Sequence, residues 1–319
     1  MSTLAAFIFF AVFILTGVKN FSAWPQVMEL WQGSASLYSL FGHPHLFRFL
    51  VAYPGLTLDA WLPEFGFSIY CSIFFFLNAR LWADIMWRTV LVKPSLLGWC
   101  IFFGIHLLMN GRGVIAWSAW LMCVSLCLDL SRSKEEVKWL FLRIFLSGFL
   151  ASVSTGVFVV VLASIVVFLI GGLHQRRIDF LNIRAGFVFC LGVPLAYMLI
   201  SYFIVAINKN LDFYGGGIQG VVDMLGHGMG KFFLSIDCLN FLLPVIFFYC
   251  VFLIMVFAYL GVRLSPINKL LLISIVGGLF GFTVLTLAMP LILCGLEIVS
   301  RAVFRTIGLG HVLYKPRQN

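Results

Sequence analysis

The chain has 319 residues, 62% of them hydrophobic and 10% charged, with a formal net charge of +9 and a mean hydropathy of +1.07. A soluble domain carries roughly 25% charged residues, so the composition argues against a soluble enzyme or binding module. Lys and Arg fall in short clusters between apolar runs rather than on a continuous basic surface, which argues against a nucleic-acid partner.

From the N-terminus, the first apolar run covers 4–18. It has no basic leader and no small-residue cleavage site, so it reads as a retained span rather than a signal peptide. Further spans are predicted near 63–79, 95–109, 113–130, 139–153, 157–173, 185–206, 239–260 and 269–289. Unbroken runs rich in Leu, Phe and Ile satisfy their backbone hydrogen bonds in a bilayer as helices. The expected fold is therefore an all-α, polytopic transmembrane helical bundle of about nine or ten spans, one integral membrane domain over 1–319. The spans over 139–153 and 157–173 are separated only by Ser154, Thr155 and Gly156, so a re-entrant hairpin is the alternative there. Two long outer loops are expected, 19–62 with a surface helix around Trp24–Trp31, and 207–237, which is rich in glycine. Residues 290–319 contain Glu297, Arg301 and Arg305 and read as an interfacial or partly buried segment, its sidedness open.

Basic residues orient the bundle. With the N-terminus in the cytoplasm, the inner connections and flanks hold Arg80, Arg88, Lys93, Arg132, Lys134, Lys138, Arg143, Arg176, Arg177, Arg184, Arg263 and Lys269. The outer side keeps Lys19, Arg48, Arg112, Lys209 and Lys231, which is the positive-inside bias. The eight cysteines form no Cys-x-x-Cys pair and suggest neither a disulfide framework nor a metal site.

Span centres are almost free of ionisable groups, whereas polar residues gather at the outer ends. His106 and Asn110 are one turn apart, and Arg112 follows between two glycines. An arginine at the membrane surface can offer its planar fork to a diphosphate, or snorkel to headgroups. Glu64 opens the second predicted span, where it either complements the helix dipole or serves as a base. Asp59 and Glu29 are further carboxylates of the first outer loop. His43 and His45 flank a proline and are poorly placed for one metal, so no metal or other cofactor is expected. Arg301 and Arg305, four residues apart, share a helix face expected at the outer boundary, where an anionic ligand or lipid would relieve their repulsion.

Three short stretches carry a resemblance: Pro63-Glu64-Phe65-Gly66-Phe67, Arg112-Gly-Val-Ile-Ala116 and Ser300-Arg301-Ala-Val-Phe304. They resemble elements of the bacterial surface polysaccharide polymerases, the EpsG-like and Wzy-type O-antigen polymerase families. The likeness covers about a tenth of the chain, and the motifs are short. The family's glutamine after the arginine is Gly113 here, and a histidine of its next helical hairpin is replaced by a neighbourhood of Ser152, Ser154 and Thr155. The resemblance implies a glycosyltransferase of the inner membrane, with a GT-C-like bundle as a candidate arrangement. It would move a growing glycan from undecaprenyl diphosphate onto a lipid-linked repeat unit at the outer face.

Under that reading Arg112, Arg301, Arg305 and Asn110 would hold the diphosphate and offset its charge without a metal. Glu64, Asp59 or His106 would take the proton of the attacking hydroxyl. Tyr214 and Trp61 would stack on sugars, and Trp24 is a further outer aromatic. Membrane lipids and a chain-length regulator protein are the implied partners. The rival readings are a lipid-linked oligosaccharide flippase, which needs charges at mid-depth, a membrane acyltransferase centred on His106, and a non-enzymatic immunity protein.

Overall fold

A computed structural model describes residues 24–33, 45–63, 65–91, 93–132, 137–174, 265–277 and 282–306, with scattered positions elsewhere. Most of the predicted spans 4–18 and 185–206, the whole of 239–260, Glu64 and Tyr214 lie outside the described residues. The described residues are nearly all helical, with no strand among them. Among the described residues two helices, over Gly66–Thr89 and Gly111–Ser131, are long and apolar enough to cross a membrane.

The helices are α1 (Trp24–Gly33), α2 (Leu46–Trp61), α3 (Gly66–Val90), α4 (Leu96–Leu108), α5 (Gly111–Arg132), α6 (Val137–Ala151), α7 (Thr155–His174), α8 (Pro266–Val276) and α9 (Met289–Thr306). A 3-10 helix, Phe282–Ala288, leads into α9. Their starts follow ordinary capping chemistry. Ser95 accepts from Gly98 N at 3.1 Å to open α4, and Ser265 accepts from Asn268 N at 3.3 Å to open α8, with Pro266 in its first turn. Leu91, at φ 57, closes α3 in the left-handed conformation.

Helix α5 is the central mast. It packs against α3, α6, α7 and α8 and is buried along almost its whole length. Gly111 lies against Phe67 and Cys71, the Asn78 amide bonds the Val114 carbonyl, and Arg88 pairs with Asp129. These contacts in register make α3 and α5 parallel. The bonds Arg112 to Val153 and Cys123 to Val161 do the same for α5 and α7. Helices α4 and α6 run the opposite way between them, so the starts of α3, α5 and α7 lie at one end, the Arg112 end. The core they enclose is aromatic: Trp82 stacks on Phe102 at 4.5 Å and meets Trp99 edge-on at 5.2 Å. Such pairs add about 0.5–1.5 kcal/mol each beyond area burial.

Three expectations are corrected. Beyond the helix expected near Trp24–Trp31, the loop 19–62 contains a second one, α2, which folds back along α3 as an antiparallel hairpin. Gly66 makes that possible, because a Cβ there would sit 2.2 Å from the Leu58 carbonyl carbon. The second predicted span continues to Val90, which puts Arg80 and Arg88 on the helix rather than in a connection. The stretch 269–289 is not one crossing. Helix α8 ends at Val276 and packs against both the 3-10 helix and α9, so the chain has turned back between them.

That reversal decides where α9 goes. Pro290 accepts from Trp82 Nε1 at 3.2 Å, and Glu297 accepts from Ser95 N and Oγ at 3.1 and 2.8 Å. Helix α9 therefore runs with α3, away from Arg112. Arg301 and Arg305 continue it beyond Glu297, at the end opposite to the one expected.

Candidate functional site

The Arg112 end is assembled from the α2–α3 turn, the α4–α5 corner and the α6–α7 turn. At the α4–α5 corner, α4 stops at Leu108, Met109 is extended, and Asn110 caps α5 by accepting from Gly113 N at 3.0 Å. Asn110 and His106 thus belong to different helices rather than to one face. Its oxygen is spent on a backbone donor, which makes Asn110 a helix cap. Gly111 is required because a Cβ would lie 2.7 Å from the Phe67 ring and 2.8 Å from Cys71 Sγ. That close approach brings the first turns of α3 and α5 together.

Arg112 occupies the first turn of α5 and is only 6% exposed. Its Nε donates to the Val153 carbonyl at 2.7 Å, in the turn between α6 and α7 where Ser152 and Ser154 are also buried. The bond fixes the guanidinium plane against the start of α7. Asp59, near the end of α2, accepts from Phe67 N at 3.4 Å and so stands at the start of α3. Trp61 projects at the tip, 81% exposed. The starts of α3, α5 and α7 meet the ends of α2, α4 and α6 at this end, so the helix dipoles largely offset one another and the positive charge there is that of Arg112, with Asp59 as its described carboxylate.

His106 is elsewhere in both position and chemistry. It is fully buried, with Nδ1 2.9 Å from the Phe102 carbonyl and Nε2 3.2 Å from Asn78 Nδ2. The rings of Phe75, Phe102 and Trp117 surround it with centroids 4.3–4.9 Å away. The carbonyl dictates a protonated Nδ1, which leaves Nε2 to accept from the Asn78 amide. Asn78 also donates to Val114 O at 2.9 Å and accepts from Ser118 Oγ at 2.6 Å. Both ring nitrogens are engaged inside the bundle, and this placement argues against His106 as a base. Sequence reasoning passed over Asn78, although an amide amid Phe, Leu and Ala is the signal that marks such a network.

The opposite end is held by ion pairs. Asp129 lies between Arg88 and Arg143, the latter at 2.7 Å, and Arg88 also meets Asp84 at 2.8 Å. Arg143 reaches Ser125 at 3.0 Å as well. The backbone positions of Arg301 and Arg305 belong to this side, so they do not join Arg112 around one ligand.

No family model, curated protein or solved structure matches the chain. Among the described residues, no three His, Cys, Asp or Glu side chains converge as metal ligands.

Proposed function

We propose that the chain is an integral membrane protein that polymerises lipid-linked glycan, acting at the Arg112 end. The observation that carries this reading is Arg112 itself, a buried cation held in plane by its bond to the Val153 carbonyl at the end where α3, α5 and α7 begin. Preorganised charge of that kind suits a leaving group that gains negative charge as its bond breaks. The resemblance of Arg112-Gly-Val-Ile-Ala116 to the polymerase element supports the same assignment.

In the proposed reaction a hydroxyl of the acceptor repeat unit attacks the anomeric carbon of the donor glycan. The bond from that carbon to the diphosphate oxygen breaks, and undecaprenyl diphosphate leaves with the electron pair, held by Arg112. The hydroxyl proton passes to Asp59, the described carboxylate nearest the tip, with Glu64 in the same turn of sequence. Trp61 offers its exposed ring to a sugar face. Arg301 and Arg305 drop out of the diphosphate clamp and join the basic residues of the cytoplasmic side, which deepens the charge bias.

A strain lacking the protein is expected to keep a single repeat unit on its lipid carrier or lipopolysaccharide, with no ladder of longer chains. Loss of all exported glycan would point to a flippase instead. The membrane reading has a separate check. In intact cells, Trp61→Cys is expected to react with an impermeant maleimide, whereas Thr306→Cys reacts only after permeabilisation. Labelling of both from the same side would refute this topology.

A further inference from the structure

The outward face of α3 carries a charge that the bundle does not use. Ile73, Phe76, Arg80 and Trp87 share one side of the helix, at helical spacing, and all four are exposed. One turn beyond Arg80, Asp84 pairs with Arg88 at 2.8 Å, and Asp129 lies between Arg88 and Arg143. These two carboxylates and two guanidinium groups match one for one. Asp84 turns to Arg88 rather than to Arg80 because an acid four residues before a base is the favoured order on a helix. Arg80 is the cation left over, with no ion pair or hydrogen bond to another described side chain.

The same row fixes its depth. The side chains of Asp84 and Arg88 keep 40% and 30% of their surface exposed, so the polar zone at this end of the bundle begins at Asp84. The stretch from Gly66 to Ala83 is about 27 Å long, close to the roughly 30 Å of a hydrocarbon core, and Arg80 is its charged residue. Arg80 lies one turn, about 6 Å, above Asp84, and an arginine stem is long enough to bring the guanidinium to the edge of the apolar zone. Trp87, three residues beyond Asp84, places an exposed indole in the interfacial layer, where tryptophan is favoured. A cation at such a depth on a lipid-facing stripe calls for a partner of opposite charge.

We propose that Arg80 and Trp87 form a docking site for an anionic phospholipid of the cytoplasmic leaflet, with its phosphate on the Arg80 guanidinium and its glycerol region against Trp87. The inference rests on the membrane reading above and is independent of the polymerase reading. A guanidinium fork takes two phosphate oxygens at once. A zwitterionic headgroup would need a carboxylate for its ammonium as well, and Asp84, the acid next along this face, is already held by Arg88. A headgroup of net negative charge is therefore the better fit.

The test uses the full chain in detergent micelles, with phosphatidylglycerol and phosphatidylcholine in equal amounts as probes and native mass spectrometry as the readout. The wild type is expected to retain phosphatidylglycerol in preference. Arg80→Gln is expected to lower that preference by about 5- to 10-fold, the effect of one cation at a headgroup. Trp87→Ala is expected to weaken both lipids alike, because the glycerol region is common to them. Lys269→Gln removes an exposed cation from another helix and is expected to change nothing. An unchanged preference in Arg80→Gln overturns the site, and an equal loss in Lys269→Gln overturns it by reducing the effect to net charge. A wild-type dimer that Arg80→Gln separates, with no lipid preference, makes a second copy the occupant and also overturns it. Should Arg80→Gln not fold, Arg80→Lys is measured instead, with a loss of about threefold expected because the fork is gone, and an unchanged preference there overturns the phosphate contact. Release of the wild type from membranes by alkaline carbonate would refute the membrane reading itself, a result separate from any lipid preference.

Discussion

Arg112→Ala is expected to abolish long-chain glycan and to lower transfer by about a hundred- to a thousandfold, the effect of removing one preorganised donor from a developing anion. The side chain is also buried and its Nε bond to the Val153 carbonyl contributes about 1 kcal/mol net, so a stability loss accompanies the change. Transfer is therefore compared per folded molecule, and the ladder is expected to disappear while folded protein remains. Arg112→Lys keeps the charge but neither the fork nor the bond to Val153, so intermediate chain lengths are expected. Immunoblots of the glycan alongside the protein read both quantities, and normal chain lengths in the alanine variant would refute the assignment.

The largest stability effect is expected at Asn78. Asn78→Leu removes a partner of His106 Nε2, of Ser118 Oγ and of Val114 O, all inside the α3–α4–α5 core. Side-chain hydrogen bonds between membrane helices average about 0.6 kcal/mol, and orphaned buried groups cost about 1–3 kcal/mol each, so a loss of about 2–4 kcal/mol is expected. Adding His106→Leu should cost less than the two single changes summed, because the second substitution removes a group the first had stranded. Thermal unfolding in micelles measures the cycle. Transfer per folded molecule should stay near that of the wild type, and a His106→Leu variant that is stable but inactive would restore the histidine as a base.

The two substitutions also separate what the sequence made legible from what it hid. Helix α5 was readable because Asn110 and Gly111 mark its start, Ser131 and Arg132 its end, and the stretch between is apolar apart from Arg112, Ser118, Ser125 and Asp129. Helix α2 was not. Its Arg48, Pro54 and Asp59 interrupt the hydropathy, and its burial comes from Gly55 and Gly66 meeting side chains and backbone distant in the chain. The reversal after α8 was hidden for the opposite reason. Every residue from Leu270 through Leu287 is apolar or small and weakly polar, so a hydropathy window sees one continuous run where the backbone turns. That error carried Arg301 and Arg305 to the wrong end. The polar residues around Arg112 were legible as a group, but their separate roles were not, because a cap, a core histidine and a buried arginine are distinguished by partners rather than by spacing.

Helix α5 is walled in by its neighbours along its flank. Under the proposed reading, a lipid-borne substrate therefore approaches along the exposed outside of α2 and α3 rather than along α5. Selectivity among carriers would then be exercised by Leu50, Tyr53, Ile73 and Phe76, residues remote from the reacting bond. Changing their bulk is a way to alter which prenyl chain is admitted while leaving the chemistry of Arg112 alone.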